Sequence, residues 1–154
     1  MRYTTIIIAV LFLPFFVGCA QENPFGVVYV EGTVTYNGEP IQGVNVTFNP
    51  LDAGEQLSAG GLTDARGRFT LTAGGSPTGS GARPGSYDVT FAKFEIPQFE
   101  SPEAQFAAIG DRQPEATHLI PERYGSPRTS GIEPVTVTTN RRDNVFNFNL
   151  TTAP

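Results

Sequence analysis

VVYVEGTVTYNGEPIQGVNVTFN, residues 27–49, consists of two alternating runs separated by a turn. In the first run the apolar and polar side chains fall on opposite faces, with Val28, Val30, Val34 and Tyr36 against Glu31, Thr33 and Thr35. The second run repeats the pattern, with Val44, Val46 and Phe48 against Asn45, Thr47 and Asn49. A period of two is typical of a half-buried strand, and Asn-Gly is a strong hairpin turn. The segment therefore predicts two amphipathic strands paired as a hairpin.

Five further extended runs follow, each bounded by Gly, Pro, Asn or Asp: 57–63, 68–72, 86–93, 134–139 and 145–151. The last two are joined by the polar turn 140–144 and are predicted to form a second pair. Seventeen Gly and thirteen Pro in 154 residues favour many short strands over helices. The chain is therefore predicted to be all-β, with about seven strands in a two-sheet sandwich occupying 27–152.

One long stretch, 94–131, interrupts this regularity as an insertion and irregular segment. Its part from Phe94 to Ile120 is long for a loop without secondary structure in a compact domain. Ser101 followed by Pro102, with Gly110 as a stop, predicts a helix of one or two turns.

The first eighteen residues have the layout of a secretory signal, with Arg2 before the apolar run 6–17 and small Gly18 at its end. The run is too short for a comfortable membrane crossing of about 20 residues. The only cysteine of the chain, Cys19, follows directly. Residues 19–26 are polar or turn-forming and are predicted to be a short tether.

The stretch Phe16-Val17-Gly18-Cys19 resembles the lipobox of bacterial lipoproteins, although Phe16 stands where that family usually has Leu. The resemblance implies that residues 1–18 are removed, that Cys19 carries acyl chains such as palmitate, and that the membrane is a partner through this lipid. Ala20 after the cysteine resembles the sorting signal for the outer membrane. The alternative is an ordinary signal peptide that leaves a free thiol at Cys19.

Composition restricts the partners of the mature chain. Loss of 1–18 removes one cation, so nine Lys and Arg remain against fifteen Asp and Glu, a formal net charge of −6. Nucleic acid is a poor partner for such a surface. An acylated Cys19 leaves no thiol for a disulfide, and stability has to come from packing.

Four segments occur in an order that resembles the carboxypeptidase regulatory-like domains: Val30–Val34, Gly38–Val44, Thr63–Phe69 and Pro84–Val89. With Ile120–Tyr124 and Thr129–Ile132, the chain resembles small bacterial lipoproteins that carry this domain. The resemblance implies a seven-stranded Greek-key sandwich of transthyretin-like fold and a place in the cell envelope. Many members are accessory or adhesion-like modules without an established reaction, so the family implies no activity.

The sequence contains few of the residues and motifs that form catalytic or metal sites. His118 is the only histidine, no Gly-x-Ser-x-Gly segment occurs, and no Asp-x-Asp spacing gathers oxygens for calcium. We therefore expect no catalytic residues, no metal and no cofactor, and an exposed loop position for His118.

If a ligand surface exists, the sequence places it in the insertion, on aromatic and basic side chains: Phe99, Phe106, Arg112, Arg123, Tyr124 and Arg128. The alternative is that the apolar members only dock the insertion on the sandwich. The resulting hypothesis is a non-enzymatic binding or structural module of the envelope, with an envelope protein or polysaccharide as partner. A carbohydrate-binding accessory unit or a degenerate envelope hydrolase that uses 94–131 is the alternative.

Replacing Cys19 by serine tests the anchor. Cys19→Ser removes the thiol that acylation needs, and one or more acyl chains are what would hold the domain on a membrane. We expect the variant to leave the membrane fraction, as measured by fractionation and immunoblotting. Equal membrane retention of the variant and the parent chain would contradict the lipid anchor.

Overall fold

The computed structural model describes residues 24–52, 54, 57–95 and 117–152, and the fold in these ranges is all-β, as predicted. The strands are β1 Glu31–Tyr36, β2 Glu39–Pro40, β3 Asn45–Pro50, β4 Ala59–Leu62, β5 Arg68–Thr70, β6 Thr72–Ala73, β7 Gly85–Ala92, β8 Phe94–Glu95, β9 Thr117–His118, β10 Val135–Val137 and β11 Val145–Leu150. The helical elements are two 3-10 turns, Glu122–Gly125 and Arg141–Asp143, and one α-helical turn, α1 Pro127–Ser130. No helix within these ranges is long and apolar enough to cross a membrane.

The first sheet is built around β1. On one side β1 pairs with β11 in parallel, from Glu31 opposite Val145 to Tyr36 opposite Leu150. On its other side β1 pairs antiparallel with β5 at one end and with β2 at the other. Two parallel neighbouring strands need a long connection between them. Here the connecting chain, residues 37–144, comprises most of the domain. The first and last long strands of the described chain therefore lie side by side.

The second sheet is antiparallel, with strand order β10, β7, β3, β4, β6. Its central strands show the predicted alternation, because Val46 and Phe48 of β3 and Val89 and Phe91 of β7 are buried. The side chains that pack against them across the core belong to the first sheet, for example Phe148 of β11. The two sheets therefore pack face to face in the manner of a β-sandwich.

An aromatic cluster joins the sheets at Phe48, which is fully buried. Its ring centroid lies 5.6 Å from that of Phe146 and 6.4 Å from those of Phe69 and Phe148, all in the first sheet. Tyr87, of the second sheet, lies 5.9 Å away. Tilted and edge-on ring pairs at these distances are favourable beyond the area they bury. Aromatic side chains from four strands, β3, β5, β7 and β11, thus meet in one cluster.

Gly32 of β1 leaves room for this cluster. A Cβ atom at this inward-facing position would collide with the carbonyl oxygen of Phe146 and with the ring of Phe69. The close approach of β1 to these rings therefore requires glycine.

The predicted hairpin is only partly correct. Asn37 and Gly38 form the turn, with φ of 53° and 86°, but only β2 returns along β1. The second alternating run, β3, lies in the other sheet. Buried Thr63 redirects the chain, because its hydroxyl accepts from the Val44 N–H at 2.9 Å and donates to the Ile41 carbonyl at 2.7 Å.

The predicted pairing of 134–139 with 145–151 is wrong. Strand β10 pairs with β7 in the second sheet, whereas β11 pairs with β1 in the first. The turn between them crosses the edge of the sandwich. Fully buried Asn144 holds this crossing, because its amide accepts from the Thr138 N–H at 2.8 Å and donates to the Thr138 carbonyl at 2.9 Å.

The insertion has a short base. Strands β8 and β9 pair antiparallel, with Phe94 opposite His118 and Glu95 opposite Thr117. The helix predicted within 101–110 lies outside the described residues.

The cluster predicts a large stability loss on truncation of its central ring. Phe48→Ala removes a fully buried ring with four aromatic neighbours, and we expect a loss of about 3–5 kcal/mol in the free energy of unfolding. Leu62→Ala is the control, because Leu62 is 61% exposed and its loss should change stability by less than about 0.5 kcal/mol. Denaturant unfolding measures both, and similar midpoints would contradict the assigned core.

Candidate functional site

Four of the residues singled out in the sequence, Cys19, Phe99, Phe106 and Arg112, lie outside the described residues. The other three are Arg123, Tyr124 and Arg128, and they do not form one surface.

Tyr124 belongs to the core. Its side chain is 4% exposed, and its ring packs edge-on against Phe91 with centroids 6.4 Å apart. The hydroxyl lies at the end of β11, where it accepts from the Thr151 N–H at 2.8 Å. These contacts are those of an apolar peg that docks the segment on the sandwich, the alternative that the sequence left open for such residues.

Arg123 supports the same junction. Its Nη2 donates to the Thr151 carbonyl at 2.6 Å and to the Tyr124 hydroxyl at 2.9 Å. Burial raises the pKa of Tyr124, but the hydrogen bonds from Thr151 and Arg123 outweigh it and bring that pKa below its ordinary value. The guanidinium is therefore engaged in holding the end of the last strand.

His118 and Arg128 remain at the surface. His118 lies in β9 rather than in a loop, with Nε2 3.1 Å from Glu122 Oε1 and its ring 4.7 Å from that of Phe94. Arg128 is exposed on α1. No hydroxyl or thiol nucleophile contacts His118 within the described ranges, so its geometry is not that of a catalytic triad.

A groove of about 460 Å³ lies elsewhere, over the outer face of the first sheet. Its lining residues are Tyr29, Glu31, Gly32, Thr33, Leu62, Asp64, Arg68, Phe69, Thr70, Val145 and Asn147. Strand register arranges the outward side chains in rows across β5, β1 and β11. The first row is Thr70, Glu31 and Val145, and the second is Arg68, Thr33 and Asn147.

A hydrogen-bonded pair between the parallel strands β1 and β11 lines the groove. The Thr33 hydroxyl donates to Asn147 Oδ1 at 2.6 Å. Two residues further along, the Thr35 hydroxyl donates to Asn149 Oδ1 at 3.0 Å. Both amide groups are held through their oxygens, so each Nδ2 remains a donor without a protein partner among the described residues.

One end of the groove carries an ordered aromatic ring. The Tyr29 hydroxyl donates to Glu31 Oε2 at 3.1 Å, and the Arg141 guanidinium lies 4.1 Å from the centre of the Tyr29 ring. Desolvation raises the pKa of Tyr29, and the hydrogen bond to the Glu31 carboxylate raises it further, against the opposing charge of Arg141. Tyr29 is therefore a neutral hydrogen-bonding group at physiological pH.

The opposite margin carries an internally matched ion pair. Asp64 Oδ2 accepts from Arg68 Nε at 3.0 Å and Nη2 at 2.9 Å, while Oδ1 accepts from the backbone N–H groups of Arg66 and Arg68. The backbone N–H of Arg68, aided by its guanidinium and by the N–H of Arg66, lowers the pKa of Asp64. The pair shapes the Asp64–Gly67 turn between the predicted runs 57–63 and 68–72, and it leaves little unmatched charge.

The groove contains no histidine or cysteine, and no group of three metal-ligating side chains occurs in the described part of the chain. No family model, curated protein or solved structure matches this chain.

Sequence reasoning missed the groove because its residues come from three distant segments. The signal present in the sequence was the run of Thr and Asn at outward strand positions.

Arg123 and Arg128 offer a matched test of structural against surface roles. Arg123→Met keeps the aliphatic stem but removes two hydrogen bonds from a charged donor, and we expect a loss of about 1.5–3 kcal/mol in unfolding free energy. Arg128→Met should cost less than about 0.5 kcal/mol, because Arg128 is exposed. Denaturant unfolding compares the two, and equal stability would remove the structural role from Arg123.

Proposed function

We propose that the mature chain is a lipid-anchored β-sandwich of the cell envelope that acts as a non-enzymatic binding module. The observation that carries this proposal is the groove on the outer face of the first sheet. It offers a concave surface with hydrogen-bonding groups on rigid strands. It contains no histidine or cysteine, and its two carboxylates are already hydrogen-bonded, Glu31 to Tyr29 and Asp64 to Arg68.

The position at the envelope rests on the sequence. The lipobox-like stretch ending at Cys19, the short apolar run before it and the polar tether after it support an exported chain anchored by acyl groups, with the outer membrane as its destination.

The finer fold is part of the proposal. A Greek-key, transthyretin-like sandwich of the carboxypeptidase regulatory-like kind is supported by the four resembling segments, whose turns lie at the ends of strands β1, β5 and β7. It is also supported by the Tyr87 hydroxyl, which donates to the Arg83 carbonyl four residues upstream at 2.7 Å. A tyrosine bonded back to the preceding backbone is a recurring feature of Greek-key sandwiches.

A hydrolase that uses the insertion is the weaker candidate. His118 and Glu122 supply a histidine and a carboxylate in contact, but both are exposed and no nucleophile accompanies them among the described residues.

Blocking the groove tests the binding function. Thr33→Trp places a large ring at the centre of the groove, whereas Thr136→Trp places the same ring on an exposed position of β10 in the second sheet. The chain, purified in detergent, is mixed with the detergent-insoluble envelope residue of the producing cells and sedimented. We expect the parent chain and Thr136→Trp to sediment with the residue and Thr33→Trp to remain in solution.

Two results would contradict the proposal: no sedimentation of the parent chain, or equal sedimentation of both variants. Far-ultraviolet circular dichroism of each variant shows that the sandwich has folded.

A further inference from the structure

The chemistry of the groove indicates the class of ligand, and this inference rests on the proposed function. On the adjacent strands β1 and β11, four outward positions hold Thr33, Thr35, Asn147 and Asn149. The middle of the face is therefore a strip of uncharged hydrogen-bonding groups.

The strip presents its donors at a regular spacing. The hydroxyls of Thr33 and Thr35 occupy the two amide oxygens, so Asn147 and Asn149 each offer a free Nδ2. Residues two apart on a strand project from the same face about 7 Å apart. Because both amides are held by neighbours, little side-chain freedom is lost when they bind a ligand.

Acceptors lie beside these donors. Glu31 Oε2 accepts from Tyr29, while the second carboxylate oxygen has no protein partner within the described residues. The Thr70 hydroxyl, in the same row, can donate or accept. A ligand that both donates and accepts along its length would satisfy this set, and a hydroxyl group does both.

The margins add apolar contact. Leu62, 61% exposed, and Val145, 49% exposed, both line the groove. A ligand that alternates C–H surface with hydroxyl groups would cover them while bonding the strip.

The charges of the site cancel locally. Asp64 is matched by Arg68, and Glu31 and Arg141 both contact Tyr29 and carry opposite charges. A polyanion or a polycation would gain little here, and the net negative chain would repel a polyanion.

We propose that the groove binds a neutral, hydroxyl-rich glycan strand, with Leu62 and Val145 against its C–H faces. The donors to its oxygens are the Asn147 amide in the groove and the Asn149 amide, which lies on the same strand beyond the lining of the groove. Glu31 and Thr70 accept from its hydroxyls. The ligand is held by shape and uncharged hydrogen bonds, so its affinity depends little on salt.

Soluble hexasaccharides of glucose and of N-acetylglucosamine are the probes, with sulfated heparin as the charged comparison. The full chain is used in a zwitterionic detergent without a sugar headgroup, and binding is measured by titration calorimetry at low and high salt. We expect saturable binding of at least one neutral hexasaccharide, with similar affinity at both salt concentrations.

Asn147→Asp is the decisive variant, because it keeps the shape of the side chain and replaces its donor by an acceptor. We expect affinity for the hexasaccharide to fall about three- to tenfold, the loss of one hydrogen bond. Asn45→Asp, at an exposed position of β3 in the second sheet and outside the groove, is the matched control and should bind like the parent chain.

The outcomes separate this inference from the proposed function. Absence of hexasaccharide binding, while Thr33→Trp still abolishes sedimentation with the envelope residue, would overturn the glycan inference alone. Preference for heparin with affinity that falls as salt rises would also overturn it, as would unchanged affinity in Asn147→Asp. Sedimentation that Thr33→Trp leaves intact would overturn both.

Discussion

The contact between two aromatic faces, with Phe48 at its centre, is the interaction on which the rest of the structure depends. Cys19 is the only cysteine of the chain, so no disulfide within the chain can form, and the described residues hold no group of three metal-ligating side chains. Burial of rings and β-branched side chains between the sheets is therefore the main source of stability. Gly32 is part of the same constraint, because the rings approach β1 more closely than any side chain at that position would allow. The inner side of the first sheet is thus committed to packing, and the outer side is available for recognition.

The sequence pattern correctly predicted the features that depend on neighbouring residues, namely the inward positions of strands and the turns. The inward positions of β3, β7 and β11 follow from a period of two, and Asn37-Gly38 and Asp64–Gly67 follow from turn chemistry. The alternation does not indicate which strand a given strand pairs with. For this reason the first predicted hairpin was only partly correct and the second predicted pairing was wrong. In each case a buried side chain, Thr63 in one and Asn144 in the other, satisfies backbone groups at a crossing between sheets. Neither residue differs in sequence from an ordinary turn residue.

The groove could not be found by the same reasoning. It requires β11 beside β1, and this parallel pairing joins segments more than a hundred residues apart. The sequence-based hypothesis placed the ligand surface in the irregular segment 94–131, because loops on a rigid scaffold carry recognition in many proteins. Here the described part of that region docks on the sandwich through Tyr124, and the hydrogen-bonding groups converge on regular strands instead. The sequence showed Thr and Asn at outward positions, but it did not show that these residues of β1 and β11 lie side by side.

The parallel pairing of β1 and β11 also limits how far the groove can lie from the membrane, if the chain is anchored at Cys19. Both strands begin at the same end of the sheet, and the row with Glu31 and Val145 lies at that end. Glu31 follows Cys19 by twelve residues, and a chain of that length spans at most about 40 Å when fully extended. Under the proposed anchoring, this end of the groove cannot work further than that from the bilayer surface. The protein would act as a short-range tether, holding polymer that lies against the membrane and leaving more distant layers of the envelope out of its reach.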